Sequence, residues 1–359
     1  MKVAVLGCGT IGKGVVDILL GGVKGMELKK ILDKKEKFDP ERISYYTDNI
    51  DDILNDDEID TVVETMGGRG FSYVCVKSAL QCGKNVVTAN KELIAYHLKE
   101  LTTIAEEKGV YLLYEASVGG GIPFIKTLSN LAQINKTKSI VGILNGTTNY
   151  ILTKMQKDGL TYDEALVGAK ALGFAEADPT ADVEGYDMLR KIAIISMLSY
   201  KQEIPLDKIY TFGITKVSKE FIKVVNNAGY TLKFVCFSSC DETIEIGVEP
   251  VLFKSDEVYA NINYENNFVK FDMEPNDVLT FIGKGAGRLP TATAVVSDLE
   301  VIRDKGQKMV FSQEGNKQVG FEDKEVSAYV EKNGEIKFLQ KVSASEVRFG
   351  GYDFYAIIK

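Results

Sequence analysis

The densest chemistry in the chain lies between Gly173 and Lys191, GFAEADPTADVEGYDMLRK, where five carboxylates (Glu176, Asp178, Asp182, Glu184 and Asp187) fall within twelve residues. Pro179 and Gly185 break the backbone, and a helical pattern then carries Asp187 and Lys191 one turn apart. Carboxylates beside a single cation can hold an ammonium group or help to move a proton. At helical spacing Lys191 shares a face with Met188, Ile194 and Ile195 as well as with Asp187. Partial desolvation lowers a lysine pKa and a neighbouring carboxylate raises it, so the two effects together leave a lysine able to exchange protons. The bland reading is a solvated acidic face, since Asp and Lys four apart form an ordinary surface pair. The rest of the chain decides between them.

The elements that would position such a site begin at the N-terminus. Lys2 to Leu6, KVAVL, reads as a buried strand and runs into Gly7-Cys-Gly9-Thr10-Ile11-Gly12, followed by a helical pattern through Leu20. A second strand, Glu27 to Leu32, ends at Asp33. A strand, a G-x-G-x-x-G turn and a helix make a phosphate cradle: Gly7 permits the turn, Gly9 admits a pyrophosphate to the backbone, and Gly12 allows close helix packing. Asp33, 21 residues after Gly12, stands where a carboxylate accepts the ribose hydroxyls of NAD. Lys34 and Lys35 would suit the 2′-phosphate of NADP instead, and the two alternatives stay open at this point.

Further strands at Thr61 to Glu64, Asn85 to Thr88 and Tyr111 to Tyr114 alternate with helical patterns at Phe71 to Cys82 and Lys91 to Lys108. That alternation predicts an α/β fold with a Rossmann-type doubly wound parallel sheet, in which ligands lie beyond the carboxyl ends of the strands. Met66-Gly67-Gly68 and Thr88-Ala89-Asn90-Lys91 fall at such ends, placing Gly67 and Lys91 on the nucleotide side. After a helix over 122–132, an Asn/Lys/Thr-rich stretch marks the crossover to a second domain. Residues 1–135 are thus read as the dinucleotide-binding domain, rejoined by 283–311. Residues 136–282 are read as an α+β domain with a mixed sheet, for substrate and for dimerisation through a sheet face with few covering helices. Gly283 to Pro290 supplies three glycines before a helix over 291–305, with Gly287 returning open amides to the nucleotide. Residues 312–359 read as a short tail.

Composition narrows the class. In a chain of 359 residues with net charge −8, no basic stripe invites nucleic acid. At 26% charged residues, and with no apolar run near twenty, the sequence reads as soluble rather than membrane-spanning. The start, MKVAVLGCGT, enters structure at once without the pattern of a signal peptide, which predicts a cytoplasmic protein. Five cysteines without CxxC spacing are expected as free, mostly buried thiols. His97 is the one histidine and is read as a helix-surface residue, so hydride chemistry here would take its acid or base from elsewhere.

Five blocks occur in register: VVTANKEL (Val86 to Leu93), YEASVGGGIP (Tyr114 to Pro123), GILNGTTNYILTKM (Gly142 to Met155), the acidic stretch above and GKGAGRLPTATAVVSD (Gly283 to Asp298). Together they resemble homoserine dehydrogenase over about residues 1 to 311. The resemblance implies reversible reduction of L-aspartate 4-semialdehyde to L-homoserine by NAD or NADP, a step of threonine and methionine biosynthesis, in a homodimer. It implies acid/base work for Lys191 with Asp187, and a place at the cofactor and substrate junction for Lys91. Glu176 is implied for the substrate ammonium, with Asp182, Gly146 and Thr147 lining the same pocket. A sodium ion on mostly main-chain oxygens is implied at Glu115, Val118, Gly120 and Ile122, a plain tight turn being the alternative. NADP-preferring relatives often carry arginine at the strand end where Leu32 and Asp33 stand here, which weakens strict NADP preference. Many relatives continue into a regulatory module of about seventy residues, for which 312–359 is too short. A non-catalytic redox sensor on the same fold, or a dehydrogenase of a related amino acid aldehyde, are the competing readings.

Overall fold

The computed structural model describes residues 1–309 and 311–359, which divide into two compact units. The first comprises Met1–Ile134, Met197–Glu203 and Ala286–Glu314, and the second Asn135–Ser196, Ile204–Gly285 and Gly315–Lys359.

In the first unit six strands, β1 (Lys2–Leu6), β2 (Glu27–Leu32), β3 (Tyr46–Thr47), β4 (Thr61–Glu64), β5 (Asn85–Thr88) and β6 (Leu112–Leu113), pair in the order β3-β2-β1-β4-β5-β6. Every pairing is parallel. This is the doubly wound sheet expected. Parallel strands are covered on both faces, which is why they read as unbroken apolar runs: Val3 to Leu6, Val62, Val63, Val86 and Val87 are all fully buried. The expected helix over 122–132 is shorter, Ile125–Leu131. Pro123 lacks an N–H, and the amides of Ile125 and Lys126 instead donate to the Glu115 carboxylate, both at 2.8 Å, so regular helix begins there. The last helix of the unit, Arg288–Arg303, begins before the expected Thr291 and keeps Pro290 in its first turn. It packs on the helix Thr10–Leu20, where Arg288 pairs with Asp17 and Gly14 faces Ala292.

The second unit is built on a nine-stranded mixed sheet. Its strands are β7 (Lys136–Ile143), β8 (Tyr210–Thr211), β9 (Tyr230–Cys240), β10 (Ile244–Lys254), β11 (Asn266–Glu274), β12 (Asp277–Lys284), β13 (Glu325–Lys332), β14 (Glu335–Ser343) and β15 (Phe354–Ile358). The order is β12-β11-β7-β9-β10-β15-β13-β14, with β8 also on β10. Two expectations change here. Residues 312–359 are no separate tail: β15 lies between β10 and β13, parallel to the former and antiparallel to the latter, inside the sheet. Arg348, on the helix Ala344–Phe349, seals this join. Its side chain is 4% exposed and grips Glu249 with two nitrogens, at 2.9 and 2.6 Å, and Glu245 with a third at 2.9 Å. The sheet also lacks the long uncovered face expected, because β9 and β10 are buried almost end to end. Exposed apolar side chains stand instead on the edge strands, at Val278 and Ile282 of β12 and Phe338 of β14.

Candidate active site

Each unit carries part of the chemistry. In the first, β1 delivers the chain into a turn at which Gly7 has φ +88° and its N–H reaches Leu32 O at 2.8 Å. A Cβ on Gly12 would land on the Gly7 carbonyl, so the helix starts as close to the turn as a backbone allows. At Gly9, the residue before the helix Thr10–Leu20, no atom lies within 4 Å of where a Cβ would stand. The turn therefore has one tight glycine, one close-packed glycine and one that faces open space. That space is a cavity of about 640 Å³ lined by Gly7, Gly9, Asp33, Lys34, Thr65 and Gly67, among others. The Asp33 carboxylate is aimed by two backbone donors, Cys8 N–H and Lys34 N–H, both at 2.8 Å. Thr10 and Ile11 open the helix beside it, and Gly287 (φ +123°) precedes the helix Arg288–Arg303.

Gly67 is shaped by a residue the sequence reading passed over. Glu64, at the end of β4, is fully buried and accepts the amides of Met66 and Gly67 at 2.8 and 3.0 Å on one oxygen, and the Thr88 hydroxyl at 2.5 Å on the other. Burial holds its pKa above the usual carboxylate range. Asn90 completes the frame, donating to Gly68 O at 2.7 Å while its carbonyl caps the helix Lys91–Lys108 through Leu93 N–H. Lys91, half-buried, is the first residue of that helix. A carboxylate closing an otherwise apolar strand, TVVE, was the available signal.

The segment expected to hold a cation is a tight loop. Gly119 and Gly120 both have positive φ, and Ile122 N–H donates to Gly119 O at 2.9 Å. Both Glu115 carboxylate oxygens are taken by amides, and the Glu115 N–H goes to Asp298 at 2.9 Å. Burial pushes Asp298 up to about 7 against the opposing charge of Lys126. No cluster of three or more His, Cys, Asp or Glu poised for a metal occurs among the described residues.

In the second unit the acidic stretch sorts itself. Asp178 accepts Thr180 N–H and hydroxyl in a local turn, and Glu184 accepts the Thr215 hydroxyl. Glu176 is exposed. Asp182 and Asp187 instead converge on Asn145, whose side-chain amide donates to them at 2.7 and 2.9 Å. The Lys191 ammonium donates to Asp187 at 2.7 Å and to Leu144 O at 2.6 Å, with 12% of its side chain exposed. The pair foreseen from helical spacing is therefore real and nearly buried, and a main-chain oxygen 47 residues away completes it. Asn145 also caps the helix Gly146–Asp158 through Thr148 N–H at 2.9 Å. An Asn directly before a helical pattern is a cap signal, which would have singled it out. Gly146 leads this helix, and a Cβ there would stand 3.3 Å from Glu265 O. The Thr147 hydroxyl already donates to Phe174 O at 2.6 Å. Gly185, at φ +87°, lets the helix Tyr186–Tyr200 start against Val248 and Phe234, where a Cβ would meet carbons at 2.9 and 3.1 Å.

His97 stacks on Tyr73 at 4.2 Å beside Glu100, as a helix-side residue, and all five cysteines are free with only Cys82 exposed.

The family model for homoserine dehydrogenase matches residues 123–299, and that for the homoserine dehydrogenase NAD-binding domain matches residues 7–115. The chain is 38% identical to homoserine dehydrogenase from Bacillus subtilis over 316 residues, which is 84% of this chain and 72% of that protein. The chain belongs to the homoserine dehydrogenase family. Among solved structures, homoserine dehydrogenase from Thiobacillus denitrificans superposes with a TM-score of 0.84 at 31% identity, covering 93% of this chain and 84% of that one. The S. aureus homoserine dehydrogenase superposes at 0.80 and 33% identity, covering 100% and 98%. As a homoserine dehydrogenase the chain is an oxidoreductase with an NAD(P)-binding domain, which sets aside the reading as a non-catalytic sensor. No helix among the described residues is long and apolar enough to cross a membrane.

Proposed function

We propose that the chain interconverts L-aspartate 4-semialdehyde and L-homoserine in threonine and methionine biosynthesis, with Lys191 as the acid/base. The bound nicotinamide nucleotide supplies or takes the hydride. Its supports are the Gly7–Gly12 turn with Gly9 facing open space, the Asp33 carboxylate held by Cys8 and Lys34, and the Gly67 loop framed by Glu64, with Lys91 and Gly287. As an aldehyde is reduced, negative charge grows on its oxygen and must meet a cation or a proton. Lys191 can give that proton and take it back in the reverse direction. Asp187 and Leu144 O fix its ammonium, and Asn145 keeps Asp187 in place. The single observation that carries the assignment is this nearly buried Lys191–Asp187 pair braced by a main-chain oxygen.

Glu176 is assigned the substrate ammonium. Its exposed carboxylate is open to an incoming ammonium, and in the same reading Asp182, Gly146 and Thr147 would line the amino-acid end. The same reading puts a sodium ion on the main-chain oxygens of Glu115, Val118, Gly120 and Ile122. Consecutive positive-φ glycines favour such a carbonyl set, and with both Glu115 carboxylate oxygens committed to the amides of Ile125 and Lys126, the main-chain oxygen is the one Glu115 would offer. A homodimer using the exposed side of β12 belongs to this reading as well, supported by Val278 and Ile282.

The test is steady-state oxidation of NADH and NADPH with aspartate semialdehyde, and reduction of the oxidised forms with homoserine. Turnover in both directions is expected. Absence of turnover with nucleotide binding intact would overturn the proposal.

A further inference from the structure

Lys233, near the start of β9, is fully buried, and among the described residues no carboxylate is paired with it. Its three ammonium hydrogens meet three neutral oxygens: Ile262 O at 2.7 Å, Asn263 Oδ1 at 3.1 Å and Asn149 Oδ1 at 3.3 Å. A buried cation without a counter-charge is costly, and burial together with the nearby charge of Lys157 pushes its pKa down to about 7. A methionine would fill the same space without that cost, so what the ammonium gathers is the informative point.

It gathers a loop. Asn149, one turn into the helix Gly146–Asp158, donates its side-chain amide to Ile262 O, Tyr264 O and Asn266 O at 3.1, 3.0 and 3.0 Å. Lys233 binds the acceptor end of that same side chain and shares the Ile262 carbonyl. The carbonyls of Ile262, Tyr264 and Asn266 therefore turn inward on the Asn149 amide, and that of Ile262 also meets the ammonium. Tyr264 is held at φ +58°, a conformation a non-glycine residue adopts only when its surroundings impose it. Two contacts carry the loop's position outward. The Glu265 backbone lies against Gly146, its O and Cα 3.3 and 3.4 Å from where a Cβ would stand. The Tyr264 ring packs on Tyr150, and Tyr150 on Phe174, whose carbonyl receives the Thr147 hydroxyl.

We propose that Lys233 is a positioning residue for the reaction: its ammonium clamps residues 262–266 onto Asn149 and thereby sets the Gly146–Thr147 turn and the Phe174 segment that receive the amino-acid end of the substrate. The inference rests on the reaction proposed above and adds to it a residue that touches neither substrate nor nucleotide. It predicts a selective defect. In Lys233→Met the KM for homoserine rises at least about tenfold, while kcat stays within about threefold and the KM for the nucleotide is unchanged. A homoserine KM within about twofold of wild type would overturn the role, as would a fall in kcat with both KM values rising together, the mark of general destabilisation. Should the variant not fold, hydrogen exchange on the wild-type protein decides. Saturating homoserine should slow the Tyr264 and Glu265 amides along with those of Gly146 and Thr147, and unchanged exchange in the loop would overturn the clamp. Wild-type turnover is measured alongside. An inactive wild type overturns the proposed reaction and this role with it, whereas an active wild type with an unaffected variant overturns only the role of Lys233.

Discussion

The turn after β1 and the node around Asn145 solve opposite problems. At the turn the side chains are withdrawn: Gly7 and Gly9 line a cavity with bare backbone, Gly12 packs against the Gly7 carbonyl, and the Asp33 carboxylate is aimed by main-chain donors. At the node the main chain contributes one oxygen, from Leu144, and side chains do the rest: Asn145, Asp182, Asp187 and Lys191. A site made of backbone is compact in sequence because successive residues must turn together. A site made of side chains gathers from wherever the fold delivers them. On the proposed reading the difference also separates the energetics, since the turn would offer the same backbone to the ground and transition states, whereas a proton donor would act only as charge develops.

That separation can be broken most forcefully at Lys191. Replacing it with methionine keeps the stem and removes the proton, and loss of a general acid costs about a hundred- to ten-thousandfold in kcat. If the variant retained more than about a tenth of the wild-type kcat while Lys91→Met abolished it, proton transfer would pass to Lys91. Gly12→Ala probes the other region. Its Cβ would collide with the Gly7 carbonyl, and overpacking of about 1–3 kcal/mol should appear as a weaker nucleotide KM, by about ten- to a hundredfold, at nearly constant kcat. A drop in kcat alone would mean that the turn acts on the chemical step. Asn145→Ala removes a helix cap worth about 1 kcal/mol and the amide that joins Asp182 to Asp187, so a lower melting temperature and a fall of about tenfold in kcat/KM for homoserine are expected. Unchanged kinetics with lowered stability would reduce Asn145 to a cap. The smallest effect concerns nucleotide choice. With Asp33 anchored by two amides, NADH and NADPH should give comparable kcat/KM, and a preference for NADPH above about a hundredfold, or ~2.7 kcal/mol, would show that Lys34 and Lys35 prevail.

The same contrast explains what was legible in the sequence. Strand, glycine turn, helix and terminal acid are local signals, so β1, β2 and Asp33 could be read directly. The Lys191–Asp187 pair was legible for the same reason, being one helical turn. Asn145 offered only its cap signal, and the part that it and Leu144 play in the node was not legible, because their partners there lie 37 to 47 residues further along the chain and only the fold brings them together. The membership of 312–359 in the large sheet was not legible, since Ile357 pairs with Val251, 106 residues earlier. β12 was hidden for another reason: its last residues, Gly283 and Lys284, belong to the glycine-rich block that reads as a turn.

The placing of β15 inside the sheet bears on how the chain is made. Strands β7 to β12 leave the ribosome first, yet the flank of β10 at Val251 and Leu252 finds its partner only once Ile357 and Ile358 have emerged. Until then a strand buried almost end to end in the finished fold presents unpaired main-chain groups and apolar side chains, a template for pairing with another nascent chain. Synthesis therefore has a vulnerable interval of about a hundred residues, ended by the segment that carries Arg348 to Glu249.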